Sequence, residues 1–161
     1  MRLTRYTDYA LRVLMYLGTR HYATIPDLAA RYNISRNHLL KVVHGLAQRK
    51  FIITQRGKGG GLALARPPRE ISVGDVVRRM EEDLALVECL GSNPSACLVT
   101  PCCALTSAFI EARESFLRTL DRYTLADLLT PGVQNLLALA VPPPAALARR
   151  RQKSAPRRAG H

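Results

Sequence analysis

The sequence predicts a mainly α-helical fold in which a helix-turn-helix is followed by a two-stranded wing. Three observations support this. Apolar residues recur at helical spacing near the start of the chain, two predicted helices are separated by a three-residue turn, and two short strand-like segments flank a glycine-rich turn. A cysteine-rich loop and a long amphipathic helix follow. We therefore predict a winged helix-turn-helix with a cysteine loop and a long dimerisation helix.

The first two helices are delimited by their caps. Thr4 can cap a helix that runs to about Arg20, and apolar residues at positions i, i+3, i+4 and i+7 give this helix one buried stripe. The stripe consists of Ala10, Val13, Leu14 and Leu17. Thr24 begins a capping box with Asp27, so a second helix is predicted from there to about Tyr32.

The third helix, capped by Ser35 and running to about Lys50, is the candidate recognition helix. Its polar face has no acidic residue and carries donors that match phosphates and base edges, with Arg and Lys suited to guanine and Asn and Gln to adenine. An ordinary solvated face is the alternative, but such a face would carry Glu as often as Lys. The candidate DNA contacts are Ser35, Arg36, Asn37, His38, Lys41, His44 and Gln48.

The predicted wing consists of a strand near Phe51–Gln55, a basic glycine-rich turn and a second strand near Leu62–Ala65. Glycines allow a backbone to approach a phosphate or to enter a narrow minor groove, and cations in the turn add attraction. A nucleotide-binding P-loop is a poor alternative because no Ser or Thr follows the lysine. The candidate contacts in the turn are Arg56, Lys58, Gly59 and Gly60.

The charge distribution indicates a polyanionic partner. The formal net charge is +12, and residues 1–66 hold 12 Lys and Arg against 2 acidic residues, whereas residues 67–148 hold 6 against 10. Such asymmetry favours nucleic acid over a uniformly basic surface. No signal peptide or membrane span is recognisable, so we expect a cytoplasmic protein without a membrane partner.

Four cysteines, Cys89, Cys97, Cys102 and Cys103, are spaced C-x7-C-x4-C-C. A structural zinc site would favour a C-x2-C or H-x3–5-H pair, and the loop that carries the cysteines contains neither pair and no His. A thiol redox switch is possible but needs only two cysteines. An iron–sulfur cluster requires several soft thiolates on an irregular loop, and Cys89, Cys97 and Cys103 meet this requirement just before a predicted helix N-terminus.

The sequence suggests four segments. Residues 1–80 form the DNA-binding domain, 81–103 the cysteine loop, 104–130 the dimerisation helix with a turn capped by Thr124, and 131–161 a disordered basic tail. The long helix, predicted from about Ala104 to Leu120, should pack on its twin in a two-fold dimer, or alternatively on its own domain. Its apolar stripe consists of Leu105, Ala108, Phe109, Ala112, Phe116 and Leu120.

Several segments together resemble the Rrf2 family of iron–sulfur winged-helix regulators, and in particular its nitric-oxide-sensing repressors. The resemblance covers about residues 1–130 and is carried by MRLTRYTDYALRVLMYL, SRNHLLKVV, RGKGGGLALARP, the C-x7-C-x5-C loop with TPCC, and FLRTLDRYTLADLL. It implies a homodimer that binds an AT-rich inverted repeat in double-stranded DNA while its iron–sulfur cluster is intact. It also implies that nitrosylation of the iron–sulfur cluster by nitric oxide releases the DNA.

The resemblance further implies a 4Fe–4S cluster held by Cys89, Cys97 and Cys103, with Asp8 of the other subunit as a fourth ligand. From the residues alone, Asp8 would be a partner of the helix dipole or of Arg12, four residues later. Cys102 departs from the family pattern and leaves open which of the adjacent cysteines binds iron.

Two other functions remain. An iron-responsive regulator of the same family, of the RirA type, shares the cysteine spacing and is the main alternative. The 2Fe–2S regulators of the IscR type carry a His shortly after the third cysteine, whereas Cys103 is followed by Ala, Leu, Thr and Ser here. A metalloenzyme is disfavoured because the cysteine loop holds no His and no C-x3-C-x2-C motif, so we predict no catalytic residues.

Overall fold

The computed structural model describes residues 2–55, 60–91 and 103–139. Over these ranges the chain forms seven α-helices, a two-stranded antiparallel sheet and two short 3-10 turns, at Pro68–Glu70 and Glu88–Leu90. The order is α1 Arg5–Thr19, α2 Ile25–Tyr32, α3 Arg36–Gln48, β1 Ile52–Gln55, β2 Gly61–Leu64, α4 Val73–Met80, α5 Ala104–Asp121, α6 Leu125–Leu128 and α7 Pro131–Ala138. The predicted mainly helical winged-helix class is confirmed.

The helices begin where the capping residues predict. Thr4 accepts a hydrogen bond from the Thr7 N–H at 3.3 Å, Thr24 and Asp27 form the reciprocal capping box, and the Ser35 hydroxyl accepts from the His38 N–H at 3.3 Å. Asn33 ends α2 in the left-handed conformation, with φ of 52°. The turn between α2 and α3 is therefore set by local side-chain chemistry.

Helix α1 lies at the centre of the core. Ala10, Val13 and Leu14 are fully buried and Leu17 nearly so, which confirms the predicted stripe. Helices α3, α4, α6 and α7 and strand β2 all pack against α1. The helix-turn-helix, the wing and the C-terminal helices therefore share one hydrophobic core.

The wing is anchored to the segment between α1 and α2. Strand β1 pairs with β2 in the register Ile52↔Leu64 to Gln55↔Gly61, and Ala23 forms an additional bridge to Leu62. The Tyr22 hydroxyl donates to the Gly60 carbonyl, and its ring lies over Gly61 where a side chain would clash. These contacts fix the base of the wing against the first two helices.

The structure corrects one expectation, the disorder predicted from residue 131. Residues Pro131–Ala138 form α7, which Thr130 caps by accepting from the Val133 N–H. Leu137 is buried against the core, and Arg20 and Arg31 donate to the carbonyls of Ala138 at 2.8 Å and Leu139 at 3.1 Å. These partners come from α1 and α2, so they are invisible in the local pattern. Residues 140–161 lie outside the described residues.

The long helix α5 begins and ends close to the predicted positions, but little of it is buried in the single chain. Leu117 is its one buried residue among those described, and Phe109, Phe116 and Leu120 are half-buried against the rest of the chain. The other members of the predicted stripe, Leu105, Ala108 and Ala112, are exposed. The helix therefore packs on its own domain along one side and leaves a second apolar side uncovered.

The docking of α7 can be tested with two adjacent leucines. Leu137 is 8% exposed and Leu136 is 62% exposed. Leu137→Ala should lower the free energy of unfolding by about 2 kcal/mol because it leaves a cavity beside α1. Leu136→Ala, the matched control, should change it by less than about 0.5 kcal/mol. Urea denaturation measures both, and equal effects would show that α7 does not dock.

Candidate nucleic-acid interface and thiolate site

Helix α3 presents its polar residues outward. Leu39 and Leu46 are fully buried, and Val42 and Val43 nearly so, which fixes the rotation of the helix on the core. All of the predicted contacts on this helix are exposed, namely Ser35, Arg36, Asn37, His38, Lys41, His44 and Gln48. The Ser35 hydroxyl is already engaged as the cap of α3, so it also has a structural role.

One exposed residue on α3 was missed by the sequence analysis. Leu40 is 52% exposed, although its neighbour Leu39 is fully buried, and it lies next to the exposed Lys41. A large apolar side chain on an otherwise polar helix face is a potential contact for a thymine methyl group. Its position outside the buried i, i+3, i+4 pattern was the available signal.

The wing supplies only part of the predicted interface in this structure. Gly60 is described, and its carbonyl accepts from the Tyr22 hydroxyl. Arg56, Lys58 and Gly59 lie outside the described residues. The structure does define strands β1 and β2, which lie on either side of that turn.

Two of the four cysteines can be placed. Cys89 lies in the 3-10 turn Glu88–Leu90, and Cys103 is the N-cap residue of α5. Both are free thiols and partly exposed. Cys97 and Cys102 lie outside the described residues, so the structure does not bring the proposed ligand set together, and the described residues contain no group of three or more His, Cys, Asp or Glu that could hold a metal ion.

The surroundings of Cys103 favour a thiolate. The Thr106 hydroxyl, with the backbone N–H groups of Thr106 and Leu105, lowers the pKa of the Cys103 thiol below its ordinary value. The hydroxyl oxygen of Thr106 is buried, and it makes no hydrogen bond of ordinary geometry with the described residues, so it is available to a sulfur ligand. Donors at a helix N-terminus that face a sulfur fit an anionic thiolate ligand of an iron–sulfur cluster.

Asp8 is paired within its own helix. Its carboxylate accepts from Arg12 Nε at 3.1 Å and from Arg12 Nη2 at 3.0 Å. This hydrogen bond raises the pKa of Arg12. The pair is the i,i+4 alternative that the sequence allowed, and the Asp8 side chain is 44% exposed. It is therefore open to a second protomer.

Helix α4 connects α5 to the helices of the DNA-binding domain. Arg78 donates to both carboxylate oxygens of Asp121 at 2.6 Å, which lowers the pKa of Asp121. The neighbouring Arg79 donates to the carbonyl of Arg49, the C-cap residue of α3, at 2.8 Å and lies 4.8 Å from the Phe51 ring centre. Sequence reasoning missed these links because each joins residues far apart in the chain.

The C-terminal end of α4 also contacts the start of α1. The Glu81 carboxylate accepts from the Thr4 N–H at 2.7 Å and from the Thr4 hydroxyl at 3.1 Å. Thr4 caps the helix that carries Asp8 one turn later. One short helix, with its C-cap residue, thus contacts α5, the C-terminal end of α3 and the start of α1, the helix that carries Asp8.

Known proteins match most of this chain. The Rrf2 family, described as an iron-dependent transcriptional regulator, matches residues 3–131. The HTH-type transcriptional regulator NsrR of Geobacillus kaustophilus is 51% identical over 132 residues, which cover 80% of this chain and 90% of that protein. The NsrR of Bacillus subtilis is 43% identical over the same shares of both chains.

Solved structures agree with these matches. CymR, the global cysteine regulator of B. subtilis, superposes with a TM-score of 0.64 at 25% identity and covers 80% of this chain and 96% of its own. IscR of T. potens superposes with a TM-score of 0.62 at 26% identity, over 80% of this chain and 86% of its own.

In the part of the chain that the structure describes, no helix is long and apolar enough to cross a membrane. The fold, the exposed face of α3 and the sequence matches point to one conclusion. The chain belongs to the Rrf2 family of winged-helix transcriptional regulators and, within it, to the group formed by the NsrR proteins.

Proposed function

We propose that the protein is a nitric-oxide-responsive transcriptional repressor. In this proposal a homodimer that holds an iron–sulfur cluster binds an AT-rich inverted repeat, and nitric oxide releases it from the DNA. The observation that carries the proposal is the acid-free, exposed polar face of α3, held by a buried apolar stripe, in a chain whose Cys103 thiol is surrounded by donors that favour a thiolate.

In this proposal α3 contacts the base edges of the DNA and the wing contacts its backbone. Asn37 and Gln48 are exposed and suited to base edges, while Leu40 suits a thymine methyl group in an AT-rich site. In the wing, Arg56 and Lys58 add cations, and Gly59 and Gly60 allow close approach to the backbone. Two copies of α3 would read half-sites about 34–36 Å apart in a two-fold dimer.

Dimerisation through α5 is supported by its uncovered side. Leu105 is 59% exposed, and Ala108 and Ala112, which lie three and seven residues later on the same side of the helix, are exposed as well. Contiguous apolar surface of this kind is typical of an interface between protein chains. A second copy of the helix, related by a two-fold axis, would bury the same residues on both chains.

The iron–sulfur cluster would be held by the thiolates of Cys89, Cys97 and Cys103, with Asp8 of the partner subunit as a fourth ligand. When bound, a 4Fe–4S cluster supplies iron atoms that react with nitric oxide. The chain contributes a stabilised thiolate at Cys103 and an exposed carboxylate at Asp8, which would exchange its Arg12 partner for iron.

Coupling between the thiolate site and the DNA would follow α4. Cys103 is the N-cap residue of α5, and α5 ends at Asp121, whose carboxylate accepts hydrogen bonds from Arg78. The adjacent Arg79 donates a hydrogen bond to the carbonyl of Arg49, the C-cap residue of α3. A shift of α5 in the dimer would therefore reach the recognition helix through two neighbouring arginines, which gives a physical route for coupling between two sites.

An iron-responsive regulator is the second candidate, because the matching family is described as iron-dependent. Both functions can be tested in one experiment on anaerobically purified protein. Nitric oxide or an iron chelator is added while binding to an AT-rich inverted-repeat duplex is followed. The proposal predicts release by stoichiometric nitric oxide. Binding that ignores nitric oxide but fails on chelation would favour the iron-responsive function.

The adjacent cysteines provide a test of the ligand set. Cys103→Ser should give a nearly colourless protein, because serine replaces a thiolate ligand, whereas Cys102→Ser should keep the brown colour and about four irons per protomer. Visible absorption with iron and sulfide analysis measures both variants. Loss of iron from Cys102→Ser alone would assign the ligand to Cys102. A zinc-containing, colourless wild-type protein would contradict the iron–sulfur proposal itself.

A further inference from the structure

A cavity of about 270 Å³ lies between the N-terminal half of α1 and the middle of α3. It opens beside the recognition face, because two of its lining residues, His38 and Lys41, are exposed on α3. The residues that line it are Arg5, Tyr6, Tyr9, His38, Lys41 and Val42. None of them is acidic, and three of them are basic.

The floor of this cavity is well defined. The Tyr6 hydroxyl lies directly against Gly45 of α3, at a place where any side chain on residue 45 would clash. Val42 is nearly fully buried beneath it. The rings of Tyr9 and His38 lie 6.3 Å apart between centres, at an angle of 43°. Helix packing therefore builds the cavity and fixes the distance between its two helices.

Three of the donors around this cavity form no hydrogen bond or ion pair with the described residues. In the described ranges, no hydrogen bond or ion pair involves the side chains of Arg5, Tyr9 or Lys41, whereas Arg12, Arg78 and most other arginines of the domain donate to a carboxylate or a carbonyl. Asp8 is the nearest acidic residue in sequence, and its carboxylate is bound to Arg12. A guanidinium, an ammonium and a phenol hydroxyl are thus left available beside the recognition face.

We propose that this cavity binds one phosphate of the DNA backbone at the edge of the major groove that α3 enters. Arg5 and Lys41 would supply charge and Tyr9 a hydrogen bond, and Tyr6 would form the floor. The inference rests on the proposed DNA-binding function and adds α1 to the interface. A phosphate contact carries no base information but sets the position of the recognition helix on the duplex.

The salt dependence of binding tests this contact. The logarithm of the binding constant falls as the logarithm of the salt concentration rises, and each phosphate that the protein neutralises makes this slope steeper by about 0.9. Arg5→Gln should therefore reduce the slope by about 0.9 for each protomer on the DNA. Binding should weaken by the same factor on the inverted-repeat duplex and on a scrambled duplex of equal length and composition.

Two further variants sharpen the comparison. Tyr9→Phe keeps the ring and removes a neutral donor, so affinity should fall severalfold with an unchanged slope. Arg122→Gln, which removes the same charge from the end of α5, is the matched control and should leave both affinity and slope as in the wild type. Fluorescence anisotropy between about 50 and 200 mM salt, the range over which the slope is resolved, measures all three.

The outcomes are distinct. A wild-type slope in Arg5→Gln would overturn the phosphate site and leave the proposed function standing. An equal loss of slope in Arg5→Gln and Arg122→Gln would do the same. A wild-type protein that binds neither duplex would overturn the proposed function and the phosphate site together. The reduced slope on both duplexes, seen only in Arg5→Gln, supports the phosphate site.

Discussion

The burial of one face of α1 is the constraint on which the rest of the structure depends. Ala10, Val13 and Leu14 have no solvent exposure, and the recognition helix, the wing, α4, α6 and α7 all pack on this helix. Close-packed cores transmit displacement because they lack space to absorb it. The DNA-facing surface and the C-terminal elements are therefore parts of one body, even though the sequence suggested four consecutive segments.

This arrangement explains why α4 matters despite its short length. Its two adjacent arginines reach in different directions, Arg78 to Asp121 on α5 and Arg79 to the C-cap carbonyl of α3. Glu81, the C-cap residue of α4, accepts a hydrogen bond from the N–H of Thr4, the N-cap residue of α1. Surface ion pairs contribute little stability on their own. Here their importance lies in geometry, because each of them joins α4 to a different helix.

Much of this architecture could be predicted from local chemistry. The capping residues Thr4, Thr24 and Ser35 gave the helix starts, and the apolar spacing on α1 and α3 gave the buried faces. The features that were missed depend on residues distant in the chain. Helix α7 is stabilised by Arg20 and Arg31, more than 100 residues earlier, and Arg78 and Asp121 are 43 residues apart. The pairing of Asp8 with Arg12 was foreseeable because it lies within one helix.

The central claim is that the thiolate site communicates with the DNA through α5 and α4. The most direct measurement compares DNA affinity with and without nitric oxide in the iron-loaded wild type and in Asp121→Asn. Couplings of this kind are typically about 5- to 150-fold. The account predicts that Asp121→Asn keeps its iron but that nitric oxide changes its DNA affinity far less than it changes the affinity of the wild type. The ratio of the affinities without and with nitric oxide should therefore be close to one. Glu114→Gln, which breaks the ion pair with Arg113 and leaves both Arg78–Asp121 hydrogen bonds in place, should keep the ratio. A full wild-type ratio in Asp121→Asn would contradict the claim.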